Sequence, residues 1–124
     1  MIHKALFIAG IVVFIGTIGC GGKTTVPTTP TGTTPAAVTV TIQPAARTLA
    51  TAAFVPNPIT VAPGGTITWS NTDTTAHDMI ADSGAWDSGR INAGSRFDMT
   101  FATRGTVPYH CSIHPGMVGT VVVQ

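Results

Sequence analysis

From Ala37 to its end, the chain is a series of short apolar alternations, each cut off by Gly or Pro. Val38, Val40 and Ile42 alternate with threonines. Ile59 and Val61, then Ile67 and Trp69, repeat the pattern on either side of Pro63-Gly64-Gly65. Phe97, Met99 and Phe101 alternate with Arg96, Asp98 and Thr100. Gly105 opens a run that places Val107, Tyr109 and Cys111 on one face, and Val118 to Val123 closes the chain. A side-chain period of two is that of a half-buried strand. Short strands with turn signals about every ten residues predict an all-β fold, an antiparallel Greek-key sandwich or barrel. No long helical pattern competes. Residues 43–52 fit a strand edge, a turn or a short helical piece equally well. Pro56-Asn57-Pro58 must interrupt regular structure, and Pro108 predicts an edge or bulge position within its run.

The residues before Ala37 have a different character. Lys4 precedes a nearly continuous apolar run from Ala5 to Ile18, shorter than the roughly 20 residues of a spanning helix but of the length of an export signal. Residues 1–19 are therefore expected to be a signal peptide. Thr17-Ile18-Gly19-Cys20 resembles a bacterial lipoprotein signal, which makes Cys20 the expected lipidation site and mature N-terminus. Residues 20–36, rich in Gly, Thr and Pro, read as an extended linker with almost nothing to bury. Residues 37–124 form the expected domain. This arrangement predicts an extracytoplasmic location, in periplasm or at the cell surface, with a lipid anchor in a membrane.

Charge excludes several function classes. Charged residues are 9% of the chain, Glu is absent, and the formal net charge is +1. There is no basic field for nucleic acid. The cysteines, Cys20 and Cys111, sit in unlike contexts, which argues against a disulfide between them.

Chemistry concentrates in Cys111-Ser112-Ile113-His114-Pro115-Gly116-Met117. A thiolate, an imidazole and a thioether this close together suit copper, whose cuprous state accepts soft sulfur and whose cupric state accepts imidazole. Zinc sites more often show paired Cys or His-rich spacing. A second histidine would complete a trigonal His₂Cys site with a weak axial Met. His77 is the candidate, although only the fold can bring it there. Strand alternation turns His110 away from Cys111 and toward the surface. Met79, Met99, Trp69 and Tyr109 read as core, and Asp82 and Asp87 as turn residues.

Several segments together resemble the cupredoxins, and among them the plastocyanin and amicyanin group. They are Phe54–Val61, Gly65–Asp73, Ala76-His77, Trp86–Gly89 and Tyr109–Val121. The short Cys-x₂-His-x₂-Met spacing is similar to that of amicyanin. The resemblance implies one type 1 copper, with His77, Cys111 and His114 in its plane and Met117 axial. It implies that Asn71 pins the ligand loop, that His114 is the electron port, and that Pro115 and Gly116 belong to an apolar patch around it. Asp78 stands where these families commonly carry Asn, and a carboxylate there is expected to lower the reduction potential or to alter the local hydrogen bonds. The implied function is one-electron transfer, not enzymatic catalysis, by a monomer that docks transiently with redox proteins. A copper enzyme would need more histidines than His77, His110 and His114. A copper chaperone or storage module would favour exposed ligands in Met/His-rich flexible segments, and the linker contains neither residue.

Overall fold

The structure, a computed structural model, describes residues 36–124. The expected signal over 1–19, Cys20 and residues 20–35 of the expected linker lie outside the described residues.

Eight strands follow in chain order: β1 (Ala37–Ile42), β2 (Phe54–Val55), β3 (Ile59–Val61), β4 (Gly65–Asn71), β5 (Ile80–Ala81), β6 (Arg96–Phe101), β7 (Gly105–His110) and β8 (Val118–Val123). They form two four-stranded sheets, ordered β2-β1-β4-β6 and β3-β8-β7-β5. Among the described residues no helix is long and apolar enough to cross a membrane.

The all-β sandwich agrees with the sequence expectation, but the pairing is mixed, not antiparallel throughout. β1 runs parallel to β4, and β3 runs parallel to β8. The chain turns back at β2, visits the second sheet at β3, and returns at β4 travelling the same way as β1. The stretch 43–52, open in the sequence, holds two 3-10 turns, Ala46–Thr48 and Ala50–Ala53. Residues 37–42 belong to the sandwich through six paired positions with β4.

Strand alternation sorts the side chains as expected. Along β4, Ile67, Trp69 and Asn71 are buried while Thr66, Thr68 and Ser70 are partly exposed. Trp69 is the hub of the core, with ring centroids of Trp86 at 5.5 Å, Tyr109 at 5.6 Å and Phe97 at 5.9 Å. Burying one such ring removes roughly 150–250 Å² from water, about 4–6 kcal/mol of hydrophobic stabilisation. Met79 is fully buried, whereas Met99 is half-buried at the margin of the core. Trp86 is 9% exposed and stacks on Phe97.

Pro108 pairs with Thr120 of β8 inside the ladder. Its carbonyl accepts from Asp82 N, so the missing N–H also points to the β5 side, just past the end of that two-residue strand. The ring therefore costs no bond to β8. The Thr120 N–H, opposite, is taken by Asn57 Oδ1 at 3.0 Å.

Candidate metal centre

Two loops meet at one end of the sandwich. The first links β4 to β5 and carries His77; the second links β7 to β8 and carries Cys111, His114 and Met117. The backbone of His77 is locked to Ile91 by a reciprocal pair of bonds, 3.1 and 2.7 Å. Pairing of Ile80 with His110 then sets the His77 loop beside Cys111. The second loop closes on itself, with Cys111 N donating to Met117 O at 3.0 Å and Met117 N to His114 O at 3.3 Å. Gly116, at φ 104°, takes a backbone conformation that side chains resist, which lets the loop turn there.

His77, Cys111 and His114 each present one donor atom, all within 4.8 Å of one another. The edges are 3.1 Å between the two Nδ1 atoms, 3.8 Å from Cys111 Sγ to His77 Nδ1, and 3.9 Å from Sγ to His114 Nδ1. Bonds of about 2.0 Å to nitrogen and 2.3 Å to sulfur, spread trigonally, give edges of about 3.5 and 3.7 Å. The triangle thus fits a single small metal ion. His77 is fully buried, Cys111 is 1% exposed, and Met117 is fully buried beside them in the closed loop. His114 alone of the set is partly exposed.

Asp78 joins the two loops. Its Oδ1 accepts from Ser112 N at 2.7 Å and Ile113 N at 3.4 Å, and lies 3.3 Å from Cys111 Sγ; its Oδ2 accepts from the Ser112 hydroxyl. Burial pushes this carboxyl's pKa up, but those donors outweigh it and hold it below the usual range. Asn71 works on the other loop. Its Nδ2 donates to Thr75 O at 2.8 Å and Ile91 O at 3.0 Å, and its Oδ1 accepts from Asp73 N. It therefore pins the approach to His77.

Burial pushes the Cys111 thiol's pKa up in the metal-free protein. Burial, with His77 and Arg47 nearby, pushes the His114 imidazole's down. Both effects oppose charge on an empty centre. A bound cation reverses that preference for the thiol, because it stabilises the thiolate directly.

His110 points away from the cluster, half exposed, with Nδ1 2.6 Å from Asp82 Oδ1. Sequence reasoning missed Asp73, a 6% exposed residue whose Oδ2 lies 2.9 Å from His77 Nε2. It also missed Asn57, whose Nδ2 donates to Thr51 O and to Val118 O, next to Met117. An acid four positions before the candidate histidine, in so weakly charged a chain, was the available signal for Asp73.

A two-sheet β sandwich with a His-Cys-His cluster in the loops at one end defines a cupredoxin, a carrier of one type 1 copper. The sequence pattern of the copper-binding plastocyanin/azurin family matches residues 40–124, and the chain belongs to that family. It is 33% identical to a plastocyanin of Scenedesmus fuscus over 84 residues, which cover 57% of this chain and 86% of that protein. It is 32% identical to amicyanin of Paracoccus denitrificans over 66 residues, 49% of this chain and 50% of amicyanin. Among solved structures, a purple cupredoxin from Nitrosopumilus maritimus superposes with a TM-score of 0.65 at 29% identity, covering 70% of this chain and 99% of that one. The reduced Cu(I) form of an amicyanin mutant gives a TM-score of 0.59 at 27% identity, covering 71% and 82%.

Proposed function

We propose that this copper-binding electron carrier works outside the cytoplasm, with His77, Cys111, His114 and Met117 as its copper ligands. The observation that carries the reading is the convergence of a buried thiol and two imidazole nitrogens within 4.8 Å. Bound copper supplies a one-electron Cu(II)/Cu(I) couple. The protein's part is to hold the donors still: the closed loop fixes Cys111 and Met117, and the bridge to Ile91 fixes His77. Such fixed surroundings change little when the electron arrives or leaves. No bond chemistry is performed.

His114 is the electron port. It is the ligand with partial exposure, and the exposed Ile113, Pro115 and Gly116 adjoin it in the same loop. Without the signal and its Lys4 the formal charge is near zero and gives little long-range steering, so docking with donor and acceptor proteins relies on this apolar surface and is weak and transient. The protein acts as a monomer. Lipid attached to Cys20, the N-terminus left once the signal is cleaved, tethers it to a membrane, a reading that rests on sequence. The burial of His77, Cys111 and Met117 disfavours a chaperone, which must give its metal away readily.

Copper loading of a soluble fragment beginning at Ala36 tests this. The expected result is an intense visible thiolate-to-copper band, lost in Cys111→Ser while the sandwich stays folded. A protein that remains colourless with cupric salt under oxidising conditions overturns the reading.

A further inference from the structure

The ring of His77 is held at both nitrogens. Nδ1 faces Cys111 and His114, and Nε2 meets the Asp73 carboxylate at 2.9 Å. That carboxylate is itself immobilised. Its Oδ1 accepts from Ala45 N at 3.1 Å and Thr74 N at 2.7 Å, and its Oδ2 accepts from the Thr75 hydroxyl at 2.9 Å. The Thr75 hydroxyl also lies 3.3 Å from Nε2. Of the three donor residues, Asp73 is hydrogen-bonded to His77 alone. Its orientation is fixed by partners on three sides, among them the turn that begins at Ala45.

We propose that Asp73 is the positioning residue of the copper centre: its carboxylate keeps the His77 proton on Nε2, leaves Nδ1 free as the metal donor, and biases bound copper toward Cu(II). The proposal rests on the copper-carrier reading for its redox part, but its tautomer part concerns the metal-free protein. A neutral imidazole has one N–H and one lone pair, and an ionised carboxylate can only accept. Asp73 therefore selects Nε2–H. A ligand histidine whose other nitrogen donates to a carboxylate is a more basic donor, and the added negative charge favours the higher metal charge.

Asp73→Asn creates a conflict that charge loss alone would not. The amide has one oxygen and one NH₂ where the carboxylate had two acceptors. Two backbone N–H groups, Ala45 and Thr74, demand the oxygen on one side. The NH₂ then faces His77 Nε2 and the Thr75 hydroxyl, and the hydroxyl can reverse its role while the ring must move its proton. Nε2 becomes an acceptor and Nδ1 takes the hydrogen, 3.1 Å from His114 Nδ1. Copper must displace that proton before it binds.

The test is nitrogen-15 NMR of the histidine rings in metal-free protein, paired with redox titration of the copper form. Wild-type His77 is expected as Nε2–H and the Asp73→Asn variant as Nδ1–H. Copper affinity should fall tenfold to a hundredfold in the variant. At a fixed solution potential the Cu(I)-to-Cu(II) ratio should rise at least tenfold, about 59 mV for one electron. Asp73→Glu, which keeps the carboxylate, should return most of that shift. A wild-type His77 protonated at Nδ1 overturns the proposal without any variant, so an Asn variant that fails to fold leaves it decided. Equal potentials in a blue wild type and a blue Asp73→Asn overturn the redox part. Absence of blue colour in both defeats the carrier reading instead, and the ring tautomer still judges Asp73.

Discussion

Trp69 Nε1 donates to the Tyr109 hydroxyl at 3.2 Å, joining β4 of one sheet to β7 of the other through the middle of the core. Both side chains are essentially fully buried, so neither polar atom has water as a substitute. One shared bond satisfies the indole donor and gives the phenol its partner, so these two rings meet in the interior with both polar atoms paired.

Tyr109 should titrate far outside the usual range. Burial pushes its pKa from 10.0 up to about 12, with the Trp69 bond opposing in part. The folded pKa lies above the unfolded one, so the neutral phenol's contribution is complete below about pH 10 and is lost as pH rises toward 12. Tyr109 is the chain's sole tyrosine, so phenolate absorbance reports it alone. The inflection should stand near 12 in native protein and near 10 in urea. Coincident curves would contradict the buried placement.

Gly119→Ala should be strongly destabilising. A Cβ at Gly119 would lie 2.3 Å from Tyr109 Cζ and 2.4 Å from its hydroxyl oxygen. The ring cannot retreat without losing Trp69. Overpacking of this kind costs about 1–3 kcal/mol, read as a fall in urea midpoint at unchanged slope.

Asn57→Ala should loosen β8 where it leaves the loop of candidate metal ligands. The side chain bonds Thr51 O, Val118 O and Thr120 N, the last standing opposite a proline. Loss of about 1–3 kcal/mol is expected, with the Thr120 amide losing its hydrogen-exchange protection before its neighbours do. Unchanged protection at Thr120 would show that the β-sheet supplies that bond after all.

The metal-free protein should lose stability in acid through Asp78. Its folded pKa is lowered, so its contribution is present above the unfolded carboxylate value of about 3.9 and fades as pH falls through the folded one. The gap between wild type and Asp78→Ala, measured by urea unfolding, should therefore narrow from pH 5 to pH 2. A gap constant over that range would mean that Asp78 holds the loop by its shape and not by its charge.

Much of this architecture was legible in advance because strands facing a core on one side must alternate. Ile67 and Trp69, Phe97 through Phe101, and Val107 through Cys111 all carried that period, and their burial followed it. Alternation says which face a residue takes but not which strand lies beside it, so the parallel partners of β1 and β3 were invisible. Ile80-Ala81 is too short to show a period at all. At the centre, Cys111, His114 and Met117 announced themselves by proximity in sequence. His77 needed the fold, and Asp73 stayed hidden because an acid in a polar loop looks like a turn residue. Its role exists only once Ala45, Thr74, Thr75 and His77 surround it.

The self-closed run Cys111–Met117 has a thermodynamic corollary. Candidate donors from both sulfur types and one imidazole stay near neighbours along the polymer even after the sandwich has melted. A denatured chain therefore retains affinity for cuprous ion, and ligand linkage counts only the difference between the two states. Saturating with copper will raise the melting temperature by less than the native dissociation constant alone would forecast.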